Sequence, residues 1–189
     1  MSELFSVDAD TLGNLRPLNR VVFSLGSNLG DSLEILQAAV DNLAETPNLI
    51  LVGISPVYRT TPWGGVEQPD FLNIVVIAES TLEPLTLLDR CAAIEEAYGR
   101  ERDPQNPYGP RTLDIDLIVV GSRTSDTEEL RLPHPRAHLR AFVLVPWLDL
   151  EPRAVLPQGP VAELVTSLDT TTVEQLEDVS ILGTDLNIG

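Results

Sequence analysis

The chain has 189 residues, 43% of them hydrophobic, which is enough for one domain with its own core and too apolar for a disordered segment. It carries 29 acidic and 12 basic residues, a net charge of −17, and that balance excludes general nucleic-acid binding. One cysteine and no apolar run of 18 residues or more exclude a disulfide framework and a membrane-spanning helix, and they favour a cytoplasmic location.

The N-terminal MSELFSVDAD lacks a basic and then apolar run, so no secretory signal is expected, and residues 1–18 read as a flexible extension. RVVFSLG, residues 20–26, predicts a strand. SNLGDSLEILQAAVDNLAE predicts a helix, with Asp31 as N-cap, Glu34 three residues on, and an apolar stripe of Leu33, Leu36, Val40 and Leu43. Residues 48–60 predict a second strand ended by prolines. A loop rich in Pro and Gly follows, then a third strand over 71–80. PLTLLDRCAAIEEAYG, residues 84–99, predicts a second helix opened by Pro84 and closed by Gly99, with Cys91 as core packing. A polar loop, RERDPQNPYGP, leads into a fourth strand over 112–121. The order β-α-β-β-α-β is the ferredoxin-like plan: an α+β sandwich with an antiparallel sheet and two helices on one face. A C-terminal extension follows, with a hairpin or turn over 132–150 and a last helix over 160–168. The domain is thus expected over 19–168, and an acidic mobile tail over 169–189.

The fourth strand poses a chemical problem. Asp114 and Asp116 alternate with Leu113, Ile115 and Leu117, so both carboxylates share one strand face, roughly 7 Å apart. Ile118 and Val120 are expected on that same face. Two like charges so close repel unless a cation lies between them. A divalent metal with hard oxygen ligands answers the requirement. All 12 basic residues are arginine, and seven of them (Arg100, Arg102, Arg111, Arg123, Arg131, Arg136, Arg140) fall between 100 and 140, beside both histidines, His134 and His138. An arginine-rich stretch in an acidic chain points to an anion, and the planar guanidinium suits phosphate. GSNLGD, residues 26–31, lacks the lysine of a P-loop and reads as a tight strand-to-helix turn. Trp63, Phe71 and Asn73 supply two aromatic rings and an amide, groups that can hold a flat heterocycle, although taken alone Phe71 reads as core and Trp63 as a loop anchor.

GSNLGD, SPVYRTTPWGGVEQPDFLN, GPRTLDIDLI, LPHPR and RAFVLVPW resemble, in order and spacing, the signatures of the 6-hydroxymethyl-7,8-dihydropterin pyrophosphokinase family of folate biosynthesis. The resemblance spans residues 20–165. It implies transfer of the β,γ-pyrophosphoryl group of ATP to the hydroxymethyl oxygen of the reduced pterin, giving AMP and the pterin pyrophosphate. It implies two Mg2+ ions held by Asp114 and Asp116, whose repulsion is then expected to be offset only when metal arrives. Arg100, Arg102 and Arg111 match the basic residues of a catalytic loop that closes over ATP. His134 and Arg140 match phosphate contacts, and Glu95 matches a polar position on the nucleotide-side helix. Thr60, Thr61, Trp63 and Asn73 match the pterin pocket, and Phe71 and Phe142 the rings that sandwich the pterin. Tyr108 stands where the family usually has a tryptophan, and by resemblance it is expected to cover the pterin. Ala92 stands where some members place a glutamine near adenine, so that side-chain contact is not expected. The resemblance leaves the oligomeric state open, with a monomer and neighbouring folate-pathway enzymes both compatible, and no nucleic-acid or membrane partner. The rival expectation is a ferredoxin-like module that binds metal or ligand without chemistry. A basic loop joined to the two-aspartate strand argues for the enzyme.

Overall fold

In a computed structural model, residues 16–62, 67–99 and 111–183 are described. Strand β1 (Asn19–Ser27) runs into helix α1 (Ser32–Ala44). Asp31 caps this helix by accepting the Glu34 N–H at 3.1 Å, as its sequence predicts. Strands β2 (Leu49–Ile54), β3 (Val57–Thr60) and β4 (Phe71–Ser80), helix α2 (Pro84–Ala97) and strand β5 (Asp114–Val120) complete the βαββαβ unit. The single strand expected over 48–60 is two. Pro56 has no N–H for the ladder, and Ser55 fills the break: its N–H donates to the Val75 carbonyl and its Oγ accepts the Val75 N–H, each at 2.9 Å.

With a last strand, β10 (Val173–Leu176), the sheet order is β10-β3-β4-β1-β5, with β2 also on β4, and every pairing is antiparallel. Helices α1 and α2 cover one face. Leu36, Ala39, Val40, Leu43, Leu87, Cys91 and Ile94 meet Phe23, Leu25, Ile74 and Leu117 there. Cys91 is fully buried, and burial pushes its thiol well above the ordinary range, so it packs as a small apolar group.

The other face carries the C-terminal extension. A short hairpin joins β6 (Ser125–Asp126) to β7 (Arg131–Leu132), followed by a single 3-10 turn (Ala137–Leu139). Helix α3 (Ala141–Leu150) comes next, where the sequence predicts a hairpin or turn. Val143, Val145 and the interior Pro146 all argue against a helix locally. Burial reverses this: Val143, Leu144 and Trp147 close over Val22, Val75, Ile77 and Ile118. Tyr58 ties α3 to the sheet, donating from Oη to Asp149 Oδ2 at 2.5 Å. A second hairpin, β8 (Val155–Leu156) and β9 (Gly159–Pro160), leads into helix α4 (Val161–Thr166).

Beyond it, residues 173–176 are not the mobile tail that their acidic, threonine-rich sequence suggests. They form β10 (Val173–Leu176) on the free edge of β3. Ile181 is buried in the first core, and Gln37 exchanges two hydrogen bonds with the Leu182 backbone. Apolar residues at 173, 176, 179 and 181 anchor this stretch despite the charges between them.

Candidate active site

The two aspartates lie on the α3 side of the sheet, at the end where β5 begins. A register shift opposite Val22 and Phe23 changes the alternation along β5. Ile118 stays on the aspartate face, as expected. Val120 does not: the bulge turns it into the opposite core, with Leu117.

The like-charge problem is already solved without metal, contrary to the expectation that only metal offsets it. Arg111 Nη1 lies 2.6 Å from Asp114 Oδ2, and Arg140 Nη1 lies 2.7 Å from Asp116 Oδ2. Each carboxylate has its own guanidinium, one from the start of β5 and one from the N-terminal end of α3. All four side chains are between 22% and 28% exposed, so they remain open to a ligand. His134 stands beside them, with Nε2 3.8 Å from Asp116 Oδ2. Its Nδ1 accepts the Arg136 N–H, which places the proton of the neutral ring on Nε2, facing the carboxylate. Burial lowers the His134 pKa and the Arg140 and Arg136 charges reinforce this, while Asp116 and Asp114 oppose it, so the ring is neutral at pH 7. The Arg140 guanidinium also stacks over Phe142, 5.5 Å from the ring centroid.

One row of the sheet connects this cluster to the other expected pocket. Gly26 on β1 pairs with Asp114 on one side and with Asn73 on the other. At ordinary strand spacing, Asp114 and Asn73 are therefore roughly 10 Å apart on the same surface. Asn73 is buried and donates from Nδ2 to Thr60 Oγ1 at 2.7 Å. Phe71 pairs with Thr60 across β3 and β4 and is half-buried, as is Phe142. The Thr61 N–H donates to the Thr172 carbonyl at 3.3 Å, so β10 braces the start of the loop that follows.

Glu95 is buried on the opposite side of β5. Its Oε1 accepts the Ile115 N–H at 2.7 Å, which fixes the strand between the two aspartates. Trp63, Arg100, Arg102 and Tyr108 lie outside the described residues.

Two groups escaped the sequence reading. Asn28, in GSNLGD, is 3% exposed and joins two loops. Its Nδ2 donates to Gln68 Oε1 and the Pro69 carbonyl, its Oδ1 accepts the Arg111 N–H, and its own N–H donates to the Arg111 carbonyl. The clue was an asparagine between a serine and an apolar residue in a tight turn. Gly26 is the other, and nothing local distinguishes it from any turn glycine.

The donor set suits a hard divalent cation. Among the described residues no group of three or more His, Cys, Asp or Glu side chains could hold a metal. Magnesium needs no such cage. One or two carboxylates suffice when waters and substrate phosphates fill the remaining positions. Asp114 and Asp116 provide those two carboxylates, with no sulfur ligand beside them.

The model of the 7,8-dihydro-6-hydroxymethylpterin-pyrophosphokinase (HPPK) family matches residues 22–152. The chain belongs to that family. Proteins named 2-amino-4-hydroxy-6-hydroxymethyldihydropteridine pyrophosphokinase are similar to it over most of its length. One from Mycobacterium leprae is 47% identical over 162 residues, covering 80% of this chain and 82% of that protein. One from Pseudomonas aeruginosa is 41% identical over 160 residues, covering 84% of this chain and 98% of that protein. Among solved structures, wild-type HPPK-DHPS of Plasmodium falciparum with pteroate superposes with a TM-score of 0.62 at 15% identity, which speaks for the fold alone. That alignment covers 82% of this chain and 43% of the Plasmodium chain, so this chain spans less than half of it. The expected α+β, ferredoxin-like family fold is thus borne out. Among the described residues no helix is long and apolar enough to cross a membrane.

Proposed function

We propose that this chain transfers pyrophosphate from ATP to the hydroxymethyl oxygen of 6-hydroxymethyl-7,8-dihydropterin, releasing AMP and the pterin pyrophosphate, in tetrahydrofolate biosynthesis. The observation that carries this is the sheet row Asp114–Gly26–Asn73 in a chain of the HPPK family. It sets an anion-handling cluster and an amide suited to a heterocycle side by side on one rigid surface. A non-catalytic binding module finds no support among the relatives, which are named as pyrophosphokinases.

The division of labour follows from the row. Asn73 and Thr60 read the edge of the pterin, Thr61 and Trp63 complete that pocket, and Phe71, Phe142 and Tyr108 cover the ring faces. At the other end Asp114 and Asp116 would hold two magnesium ions, which supply charge neutralisation at the phosphoryl oxygens when bound. Arg111 and Arg140 hold both carboxylates in place before substrate arrives, and their forks can also take phosphoryl oxygens. Arg100 and Arg102 close over the triphosphate from the loop between α2 and β5. His134, neutral, offers Nε2–H to the same oxygens. Glu95 acts from behind the strand by fixing its backbone. Holding the pterin hydroxyl and the β-phosphorus on one face converts a bimolecular encounter into an oriented one.

We further propose that the protein works as a monomer in the cytoplasm, beside neighbouring folate-pathway enzymes. Its net charge of −17 opposes self-association. The test is product analysis with ATP, magnesium and the reduced pterin. AMP in step with pterin pyrophosphate is expected, and ADP or no nucleotide product overturns the reaction.

A further inference from the structure

We propose that Gly26 is a positioning residue for the heterocycle pocket, acting through the carboxamide of Asn73; this rests on the functional reading above. A Cβ placed on Gly26 would lie 2.7 Å from Asn73 Oδ1 and 3.8 Å from its Cγ. The amide therefore occupies the space a side chain at 26 would take. Its other end is fixed, since Nδ2 donates to Thr60 Oγ1 at 2.7 Å. The carboxamide is thus held between β3 and β1, with Nδ2 on Thr60 and Oδ1 at Gly26, the residue paired with Asp114. Asn73 is 4% exposed and Thr60 is 6% exposed, so the group has little freedom to rearrange. With Nδ2 engaged, Oδ1 is the acceptor that remains for an N–H on the edge of a bound ring. A side chain at 26 would swing the amide away and break both relationships. Gly26 has no positive φ that would demand glycine, so the space above it is what excludes a side chain.

The experiment is a double-mutant cycle with Gly26→Ala and Asn73→Ala. Two quantities are read by calorimetry and thermal melting: Kd for 6-hydroxymethyl-7,8-dihydropterin with α,β-methylene ATP present, and stability. In the wild-type background Gly26→Ala should raise the pterin Kd roughly ten- to a hundredfold, the range of a buried polar group left unpaired, with α,β-methylene ATP affinity unchanged. In the Asn73→Ala background the same change should alter pterin Kd by less than about twofold, because its target is gone. Stability gives an arm independent of pterin. Any melting loss caused by Gly26→Ala should vanish once Asn73 is alanine, and the double variant should recover the fold if the single one loses it. Equal effects of Gly26→Ala in both backgrounds, or a matching loss of ATP affinity, overturn the proposal. A wild type that binds α,β-methylene ATP but no pterin refutes the functional reading instead, and the melting cycle still decides whether Gly26 acts through Asn73.

Discussion

Replacing Asp116 by asparagine separates a metal-holding carboxylate from a structural one. The shape is kept and one negative charge is lost. That charge receives Arg140 Nη1 at 2.7 Å and faces His134 Nε2 at 3.8 Å. With the two pair members 28% and 23% exposed, solvent screening limits the pair to about 0.5–1 kcal/mol. For a domain of this size that corresponds to a fall in Tm of about 1–4 °C. Relief of repulsion from Asp114 works in the opposite direction, but Arg111 already neutralises Asp114. Asp116→Asn should therefore fold, slightly less stably than wild type, whereas two unpaired carboxylates, as the bare sequence suggests, would make it at least as stable. Single-turnover AMP release should fall by at least roughly a hundredfold to a thousandfold, because charge stabilisation at the transferred group is removed. Melts with and without magnesium and ATP, beside rates normalised to folded protein, make the comparison. A variant several kcal/mol less stable that turns over normally once folded would refute the metal-holding role.

Arg140→Ala should weaken ATP binding in the ground state, while Arg102→Ala should lower kcat more than it raises KM; a pure KM effect at Arg102 would remove it from the closing loop. ATP is expected to raise pterin affinity by ordering the loops that both sites share; Asn28→Ala deletes the side-chain bonds that join Gln68 and Pro69 to Arg111, and should cost about 1–3 kcal/mol and reduce that gain. Calorimetry with and without α,β-methylene ATP measures that gain, and an unchanged gain argues against coupling through Asn28. Burial and the bond to Asp149 raise the Tyr58 pKa above its unfolded value near 10. The folded state therefore favours the protonated phenol, so this contribution is complete below pH 10 and is lost as pH rises through and beyond that value. Denaturation across pH 9–11 should show a steeper loss in wild type than in Tyr58→Phe, and parallel curves would count against it.

The parts legible in the sequence are those where a local rule and the global fold agree. Asp31 as a cap, the stripe through Leu36, Val40 and Leu43, and the alternation around Ile115 all read directly. The aspartate pair was legible because two acids in an apolar strand break a local rule for a reason. Helix α3 was not, because its residues look extended and Pro146 looks terminal until the second sheet face requires a cover. Nor was β10, whose partner β3 is remote and whose charges read as solvent-facing tail. The arginine partners of the aspartates were half visible. Arg111 is three residues from Asp114, but nothing in the sequence says that Arg140 returns to Asp116.

The strand β10 gives the assembly of this protein an order. Val57 pairs with Leu176 and Thr60 with Val173, so the outer edge of the sheet is closed by residues well over a hundred positions downstream. Such long-range closure carries a large loop entropy and forms late. On a ribosome, β1 through β5 can pair while β3 still shows an open row of N–H and C=O groups, the template on which chains aggregate. Thr61, held through Thr172, receives its brace only when that edge is covered. Synthesis of residues 170–182 is therefore the step at which a nascent sheet prone to sticking becomes a finished one, and the pocket wall at Thr60 and Thr61 is set in the same event.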